Sequence, residues 1–465
     1  MNPALVRHAL YPLHERVLQR PTFRYLRELE DSQWLSRDAV ERLQLVKLRT
    51  LLELAERHSP WHRGRIREAG LDLRPGAELD FRDFRRLPVM TKAEARAHHD
   101  QLVWKEVPGG AFRYNTGGSS GEPLIFHFGR ERQASDAAGR MRARRWWGVE
   151  VGDREVYLWG APVELDRTDR IKSLRDRLFN QLVLNAFRMS PADMDAYIEA
   201  IRKFRPRCIY GYASSLALLA GHARERGRDL RLGSLKVVCT TGEPLYPPQR
   251  TLISTVFGVP VANEFGSRDV GFTAHEAPGG QMLLMSESVI MEVLDPQGRP
   301  VAPGGSGEAV MTGLCSAAQP FIRYRTGDMV RLSPIPSADG RGLHVIDEIM
   351  GRSTDFVVRA DGTIMHALAV IYVLRDVEGV AEFKFIQHTA RSVEVQVVPG
   401  ARWGGPARAQ IVKGLRERLG DDVEVRIVPV EAIAPEASGK HRYVVSHVPL
   451  PGSLSSAVSA GTGGD

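Results

Sequence analysis

The chain has 465 residues, 43% hydrophobic and 26% charged, with 63 Lys and Arg against 56 Asp and Glu, a formal net charge of +7. That length exceeds one compact core and predicts a large domain plus a smaller one. The composition excludes disordered, collagen-like and disulfide-scaffold chains, and no apolar run approaches the ~20 residues that span a bilayer.

The amino-terminal stretch MNPALVRHALYPLHERVLQR is charged throughout and lacks the apolar core of a secretory signal. The three cysteines, Cys208, Cys239 and Cys315, are widely spaced without a C-x-x-C, so reduced structural thiols and a cytoplasmic location are expected. Arginines are mixed with acids along the whole chain rather than gathered in a tail, which predicts neither a nucleic-acid nor a membrane partner. The densest cluster, Arg140-Met141-Arg142-Ala143-Arg144-Arg145-Trp146-Trp147, falls in a predicted helix over 132–148 and reads as a solvated face with tryptophans packed inward. Positive potential of this kind also gathers anionic ligands.

Residues 1–100 read as mainly helical. Leu45, Leu48, Leu52 and Ala55 recur at helical spacing over 38–57, and Thr91 with Glu94 forms a capping-box start. Next comes Tyr114-Asn115-Thr116-Gly117-Gly118-Ser119-Ser120-Gly121-Glu122-Pro123, tied to a predicted strand over 124–128. From 103 to 350, strands at 156–159, 208–211, 235–240 and 259–262 alternate with helices at 191–204, opened by Ser190, and at 214–227 and 248–257. That alternation predicts an α/β domain with a largely parallel sheet. Short β segments follow over 281–332. Beyond Gly351, strands at 356–358, 382–387, 393–398 and, last, 423–428, with helices at 367–376 and 406–419, predict a small α+β domain. The expected division is 1–350, 351–447 and a Gly/Ser/Ala-rich disordered tail, 448–465.

Glycine lets the 114–123 loop approach a ligand closely, and its clustered N–H and hydroxyl groups suit an anion. The spacing is not that of a P-loop, and no lysine follows the last glycine. Thr240-Thr241-Gly242-Glu243-Pro244 and Asn263-Glu264-Phe265-Gly266-Ser267-Arg268-Asp269 each follow a predicted strand, placing polar groups where parallel sheets bind ligands. In Phe321-Ile322-Arg323-Tyr324-Arg325-Thr326-Gly327-Asp328 an acid after a glycine turn suits a ribose diol, since a carboxylate accepts two hydroxyl bonds. Pro435-Glu436-Ala437-Ser438-Gly439-Lys440 sets a lysine on a glycine turn near the end.

The ordered set NTGGSSGEP, TTGEPL, NEFGSRD, YRTGD, GRSTD and PEASGK resembles the adenylate-forming (acyl-AMP) superfamily, most nearly its phenylacetate–CoA ligase branch and the related CapK-type proteins. Ser59-Pro60-Trp61-His62-Arg63 with Glu68-Ala69-Gly70, Leu87-Pro88-Val89-Met90-Thr91-Lys92, YLWGAP over 157–162 and GYASSL over 211–216 agree with it. The likeness runs from about residue 40 to 447.

The resemblance implies a large adenylating domain, a small mobile lid and use of ATP and Mg2+. Thr116, Ser119, Ser120 and Gly121 would embrace the β- and γ-phosphates. Gly242, Glu243 and Pro244 would line the adenine site, with Gly266 and Ser267 beside the nucleotide. Phe265 stands where the family usually has a tyrosine against the adenine. Asp269 takes the place of the magnesium-linked glutamate, one methylene shorter, so that its contact passes through water. Asp328 would hold the ribose hydroxyls, Arg352 the interdomain hinge, and Lys440 the carboxylate and α-phosphate during adenylation. Arg268 occupies the place of a phosphate-contacting threonine and is taken as catalytic with Lys440.

The acid would lie among Trp159, Gly160, Tyr212, Ala213 and Thr240, ahead of Phe265, and the three aromatics suggest an aromatic or medium apolar carboxylic acid. The acceptor would be a thiol, of CoA or a carrier protein, or an amine. Two departures stand out: Thr354 replaces the hinge acid, and Arg359-Ala360-Asp361-Gly362-Thr363 departs from the segment that helps form the thioester conformation, which weakens CoA more than adenylation. Zinc is not expected, because His275 has only Cys315 as a neighbouring cysteine in sequence. Close relatives commonly dimerise, so a homodimer is within expectation. Two alternatives stay open: an adenylyltransferase that leaves AMP on a hydroxyl or phosphate, and a non-catalytic nucleotide-binding relative, against which the retention of Lys440 and Asp328 argues.

Overall fold

The computed structural model describes residues 1–115, 124–160, 175–186, 188–243, 245–295, 297–350, 356–433 and 444–448. The amino-terminal region is helical, as the periodicity predicts. Ser36 caps the helix Arg37–His58 by accepting from the Ala39 N–H, and Ser59 caps Pro60–Glu68 in the same way from His62. Thr91 and Glu94 form the expected capping box. The apolar stripe of Arg37–His58, including Leu48, Leu51, Leu52 and Ala55, packs with Ile66, Phe84 and Leu87 against Ile290, Leu314 and Ile322. None of the helices among the described residues is long and apolar enough to cross a membrane.

A two-stranded hairpin, β1 (Phe112–Asn115) and β2 (Ile125–Phe128), flanks residues 116–123. The large sheet takes β3 (Glu155–Trp159), β4 (Gln181–Asn185), β5 (Cys208–Tyr212), β6 (Val237–Thr241) and β7 (Val261–Ser267). It continues through β8 (Gly271–Glu276), β9 (Met282–Leu284), β10 (Val289–Leu294), β11 (Ser306–Gly313), β12 (Tyr324–Leu332) and β13 (Val345–Met350). Its order is β10-β11-β12-β13-β9-β8-β7-β6-β5-β3-β4. Pairing is parallel from β4 to β7, the α/β unit expected from the alternation, and antiparallel from β7 outward.

Strands β5 and β6 are buried along their whole length, as covered parallel strands should be. The helices Pro191–Phe204, Ala213–Glu225 and Pro247–Phe257 pack on one face around Ile198, Leu216, Ile253 and Phe257. On the other face, Val149 and Trp147 at the end of the helix Arg130–Trp146 pack on Tyr210, Cys239 and Ala262.

That second helix corrects the reading of the arginine cluster. Arg132, Arg142 and Arg144 are buried rather than solvated. Arg142 pairs with Glu287 at 2.5 Å, and Arg144 pairs with Glu155 and lies over the Tyr210 ring. The tryptophans do pack inward, Trp146 donating to Gln33 and Trp147 to the Glu276 carbonyl.

Residues 356–448 carry a second core around Val370, Leu374, Phe383, Phe385, Val395, Ile411 and Leu415. Here β14 (Phe356–Val358) and β15 (Ile364–His366) form a hairpin. The four-stranded sheet has the order β18-β17-β16-β19, with β16 (Val380–Thr389), β17 (Ser392–Pro399), β18 (Glu424–Pro429) and β19 (Val444–Ser446). The expected last strand is therefore followed by another, β19, which joins β16 in parallel. Buried Gln387 ties three strands together: its amide accepts from the Val358 N–H and the Ser446 hydroxyl and donates to the Val358 carbonyl.

Candidate active site

In the parallel half, the chain leaves β3 to form β4 on one side, then returns to form β5 on the other. A reversal of this kind opens a crevice at the carboxyl ends of the two inner strands. Those ends carry Trp159-Gly160 and Tyr212-Ala213. The Trp159 and Tyr212 rings stack at 4.4 Å between centroids with 15° between planes.

The loop after β6 closes on the same place. Gly242 has φ +79°, and a Cβ there would meet the Tyr212 ring at 3.2 Å, so glycine is required for this approach. The Glu243 carboxylate accepts from the Ser214 N–H in the first turn of Ala213–Glu225, satisfying an exposed helix donor. Glu243 thus fastens the 242–243 loop to the helix that follows Tyr212.

Arg268 is exposed, and its charge reaches the Tyr212 hydroxyl. Burial pushes that phenol well above the usual range, and Tyr372 and Glu243 add to the effect. Trp159, Gly160, Tyr212, Ala213, Gly242, Glu243 and Arg268 therefore belong to one neighbourhood.

Register separates other residues from it. Tyr212 pairs with Thr241, and Thr240 pairs with Asn263, so Thr240 and Phe265 lie on the face opposite to Tyr212 and Glu264. Thr240 is fully buried, its hydroxyl donating to Asn263 Oδ1 at 3.1 Å. Phe265 packs with the cluster that holds Met90, Phe126 and Tyr324, not with Trp159 and Tyr212. The slot of three aromatics expected from the sequence is therefore two stacked rings.

The NEFGSRD motif also differs from expectation. It does not follow a strand; Asn263 to Ser267 are the strand, and Arg268 and Asp269 sit in the turn to β8. Ser267 Oγ donates to Asp269 Oδ1 at 2.6 Å, fixing the half-buried carboxylate. Among the described residues no three His, Cys, Asp or Glu gather as a metal site. A lone half-buried carboxylate suits Mg2+ arriving with phosphates and water, because that ion keeps several waters and rarely uses an all-protein cage.

Asp328 stands on a bulge rather than a turn. Between the pairs Glu308↔Met329 and Val310↔Arg325, β12 holds three residues against one of β11. Gly327 supplies φ +78°, and the Asp328 N–H donates to Thr326 Oγ1 at 3.2 Å, while that hydroxyl donates to the Ala309 carbonyl.

The amino-terminal motifs brace this strand. The Met90 N–H donates to the Arg323 carbonyl at 2.7 Å, and the Arg325 N–H donates to the Met90 carbonyl at 2.8 Å. His62 Nε2 donates to the Pro320 carbonyl, and Arg65 bonds both His62 Nδ1 and the Pro88 carbonyl. Buried Arg323, in the left-handed region at φ +54°, pairs with Glu292 at 2.8 Å.

Thr116, Ser119, Ser120, Gly121, Pro244, Arg352 and Lys440 lie outside the described residues, as does Thr354. The segment 359–363 forms the β14–β15 turn, with Gly362 at φ +81° and Asp361 accepting from the Thr363 N–H. His275 has a cysteine nearer than Cys315. Fully buried, it faces Cys239, whose thiol is held well below the usual range by the Cys208 hydrogen bond, the Arg144 charge and His275, against the effect of burial.

Sequence reasoning passed over Glu264, although it lies within NEFGSRD. Its Oε1 accepts from Tyr210 Oη at 2.8 Å and Thr241 Oγ1 at 3.2 Å, and Arg140 approaches Oε2 at 3.7 Å. Strand alternation could have shown it facing away from Phe265. Arg132 and Asp136, four apart on a helix, were likewise unmarked.

Comparison with known proteins finds similarity in sequence and in fold. Residues 357–447 match the family model described as the CapK C-terminal domain. Protein CapK of Staphylococcus aureus is 22% identical over 80% of this chain and 82% of its own length. Phenylacetate-coenzyme A ligase of Escherichia coli (strain K12) is 24% identical over 71% of this chain and 75% of its own. The structure of 2-hydroxyisobutyryl-CoA ligase in complex with 2-HIB-AMP and CoA superposes with a TM-score of 0.59 at 22% identity, covering 92% of this chain and 94% of that one. In sequence the chain is similar to CapK-like proteins and phenylacetate–CoA ligases, in fold it is similar to 2-hydroxyisobutyryl-CoA ligase, and its residues 357–447 match the CapK C-terminal domain.

Proposed function

We propose that this protein activates a carboxylic acid with ATP. A carboxylate oxygen attacks the α-phosphorus, the bond to the β-phosphate oxygen breaks, and acyl-AMP and pyrophosphate result. A thiol, of CoA or a carrier protein, or an amine then attacks the acyl carbon and AMP leaves. The observation that carries this reading is the convergence of the Trp159–Tyr212 stack, the Gly242–Glu243 loop and Arg268 at the strand-order reversal of an adenylating fold.

In this reading the stacked rings and Ala213 bound the acyl slot, which favours a flat or medium apolar acid. The Gly242–Glu243 loop borders the adenine, and Asp328 on its bulge accepts the ribose hydroxyls. Residues Thr116, Ser119, Ser120 and Gly121 hold the leaving phosphates. Arg268 adds a fixed cation on the triphosphate. Asp269 would hold Mg2+ together with phosphate oxygens, and the ion when bound neutralises phosphate charge. Lys440, brought by a mobile lid of residues 351–447, stabilises charge that develops between carboxylate and α-phosphate.

The test is carboxylate-dependent exchange of labelled pyrophosphate into ATP, screened over aromatic and aliphatic acids. Lys440→Ala is expected to lower exchange by a factor on the order of 10² to 10³. Unchanged exchange would remove the lysine from the mechanism. AMP attached to an alcohol, with no exchange for any acid, would replace the ligase reading by an adenylyltransferase.

A further inference from the structure

The helix Arg130–Trp146 starts directly after β2 and sends two residues, four apart and so on one face, to the turn between β7 and β8. Arg132 Nη1 donates to the Asp269 carbonyl at 2.5 Å, and Nη2 donates to the Arg268 carbonyl. Asp136 Oδ2 lies 3.6 Å from Arg132 Nε, and Oδ1 accepts from the Phe272 N–H at 3.0 Å. The turn bearing Arg268 and Asp269 is thus held at two carbonyls and at the Phe272 N–H by one ion pair. Gly271 makes room for it: φ is +135°, and a Cβ would fall 2.6 Å from Asp136 Oδ1.

The same guanidinium lies 5.1 Å from the Phe128 ring centroid and 5.6 Å from that of Phe126, both on β2. Arg132 therefore touches the hairpin that flanks the phosphate loop and the turn that carries the phosphate and metal residues. A guanidinium only 3% exposed is costly to bury, and a packed apolar side chain could join the two elements as firmly. What an apolar residue could not do is fix both carbonyl dipoles and thereby the direction of the turn. Charged groups that must meet MgATP without reorganising need that fixed direction.

We infer that Arg132 and Asp136 are positioning residues that set the Arg268–Asp269 turn against the phosphate-loop hairpin for Mg2+-dependent nucleotide binding. The inference rests on the proposed ATP-dependent reading and can fail separately from it.

The experiment titrates MgATP into the full-length protein by calorimetry at a series of Mg2+ concentrations and in EDTA, and records melting without nucleotide. Arg132→Met and Asp136→Asn should each weaken MgATP binding about ten-fold, the equivalent of one charge-assisted bond, and raise the Mg2+ needed for half-saturation. Their binding of ATP in EDTA should weaken less than their binding of MgATP, because only the Arg268 contact and not the Asp269 one is then at stake. Arg132→Lys, still a cation over the phenylalanines but without the planar fork, should restore melting while leaving the Mg2+ requirement raised. A folded Arg132→Met or Asp136→Asn protein with wild-type Mg2+ dependence overturns the inference. If Arg132→Met does not fold, Asp136→Asn decides, because its amide oxygen still accepts from Phe272 and only the charge is lost. Wild-type protein that binds MgATP but exchanges no pyrophosphate overturns adenylation and leaves the clamp to be judged by binding. Wild-type protein that binds no MgATP overturns both.

Discussion

His62 is held neutral by its neighbours. It is 1% exposed, donates from Nε2 to the Pro320 carbonyl and accepts at Nδ1 from Arg65, which fixes its tautomer. Burial and the Arg65 charge push its pKa down from 6.5 to about 3. The folded value lies below the unfolded one, so the stabilisation is complete above about 6.5 and is lost as pH falls toward 3. Between pH 7.5 and 5.5 the unfolding free energy should drop by about 1.4 kcal/mol from this residue alone. His62→Gln, which can make both bonds but cannot titrate, should flatten that slope in denaturant unfolding. An equal slope in both proteins would assign the acid sensitivity elsewhere. The motif around His62 was legible as a family resemblance, but its bracing role was not: Pro320 is 258 residues away.

At the scale of elements, caps and periodicity carried the reading well. Ser190 opens Pro191–Phe204 where predicted, because a serine before Pro and Asp satisfies the first-turn donors. Register and bulges were not legible. Whether Phe265 joins Trp159 and Tyr212 depends on a one-residue parity that only the β6–β7 pairing sets. The three-residue β19 shows no period, and its pairing with β16 reaches back across the chain. The bulge at Asp328 reads as a turn in sequence, since a glycine at φ +78° marks either. That bulge yields a prediction. Gly327→Ala places a side chain in the left-handed region, at a cost of about 1–2 kcal/mol, and should also weaken nucleotide binding by re-aiming Asp328. Gly304→Ala, at φ +79° and in ordinary contact with Pro334, should lower stability alone. Calorimetric titration with ATP on both variants separates strain from aim; equal affinities would detach the bulge from Asp328's function.

For the whole molecule, the arginine excess that suggested a solvated, anion-gathering surface is partly spent inside. Arg142 and Glu287 are both fully buried, and their contacts join four parts of the chain. Arg142 also donates to the Leu29 carbonyl, Ser32 donates to Glu287, and Lys47 and Gln44 bond the Glu287 and Ser286 carbonyls. Helices Thr22–Ser32, Arg37–His58 and Arg130–Trp146 thereby meet the connection between β9 and β10. Net charge could not reveal this, because it counts a buried pair and an exposed one alike. Breaking the pair leaves an uncompensated buried charge, so Glu287→Ala should cost about 3–5 kcal/mol and open the amino-terminal helices to limited proteolysis. Arg142→Met combined with Glu287→Leu removes both charges at similar volume and should recover most of that loss. Denaturant unfolding of Arg142→Met, of Glu287→Leu and of the double variant measures the coupling. Additive losses would mean that the helical layer is held by its apolar contacts, with the ion pair contributing little to the join.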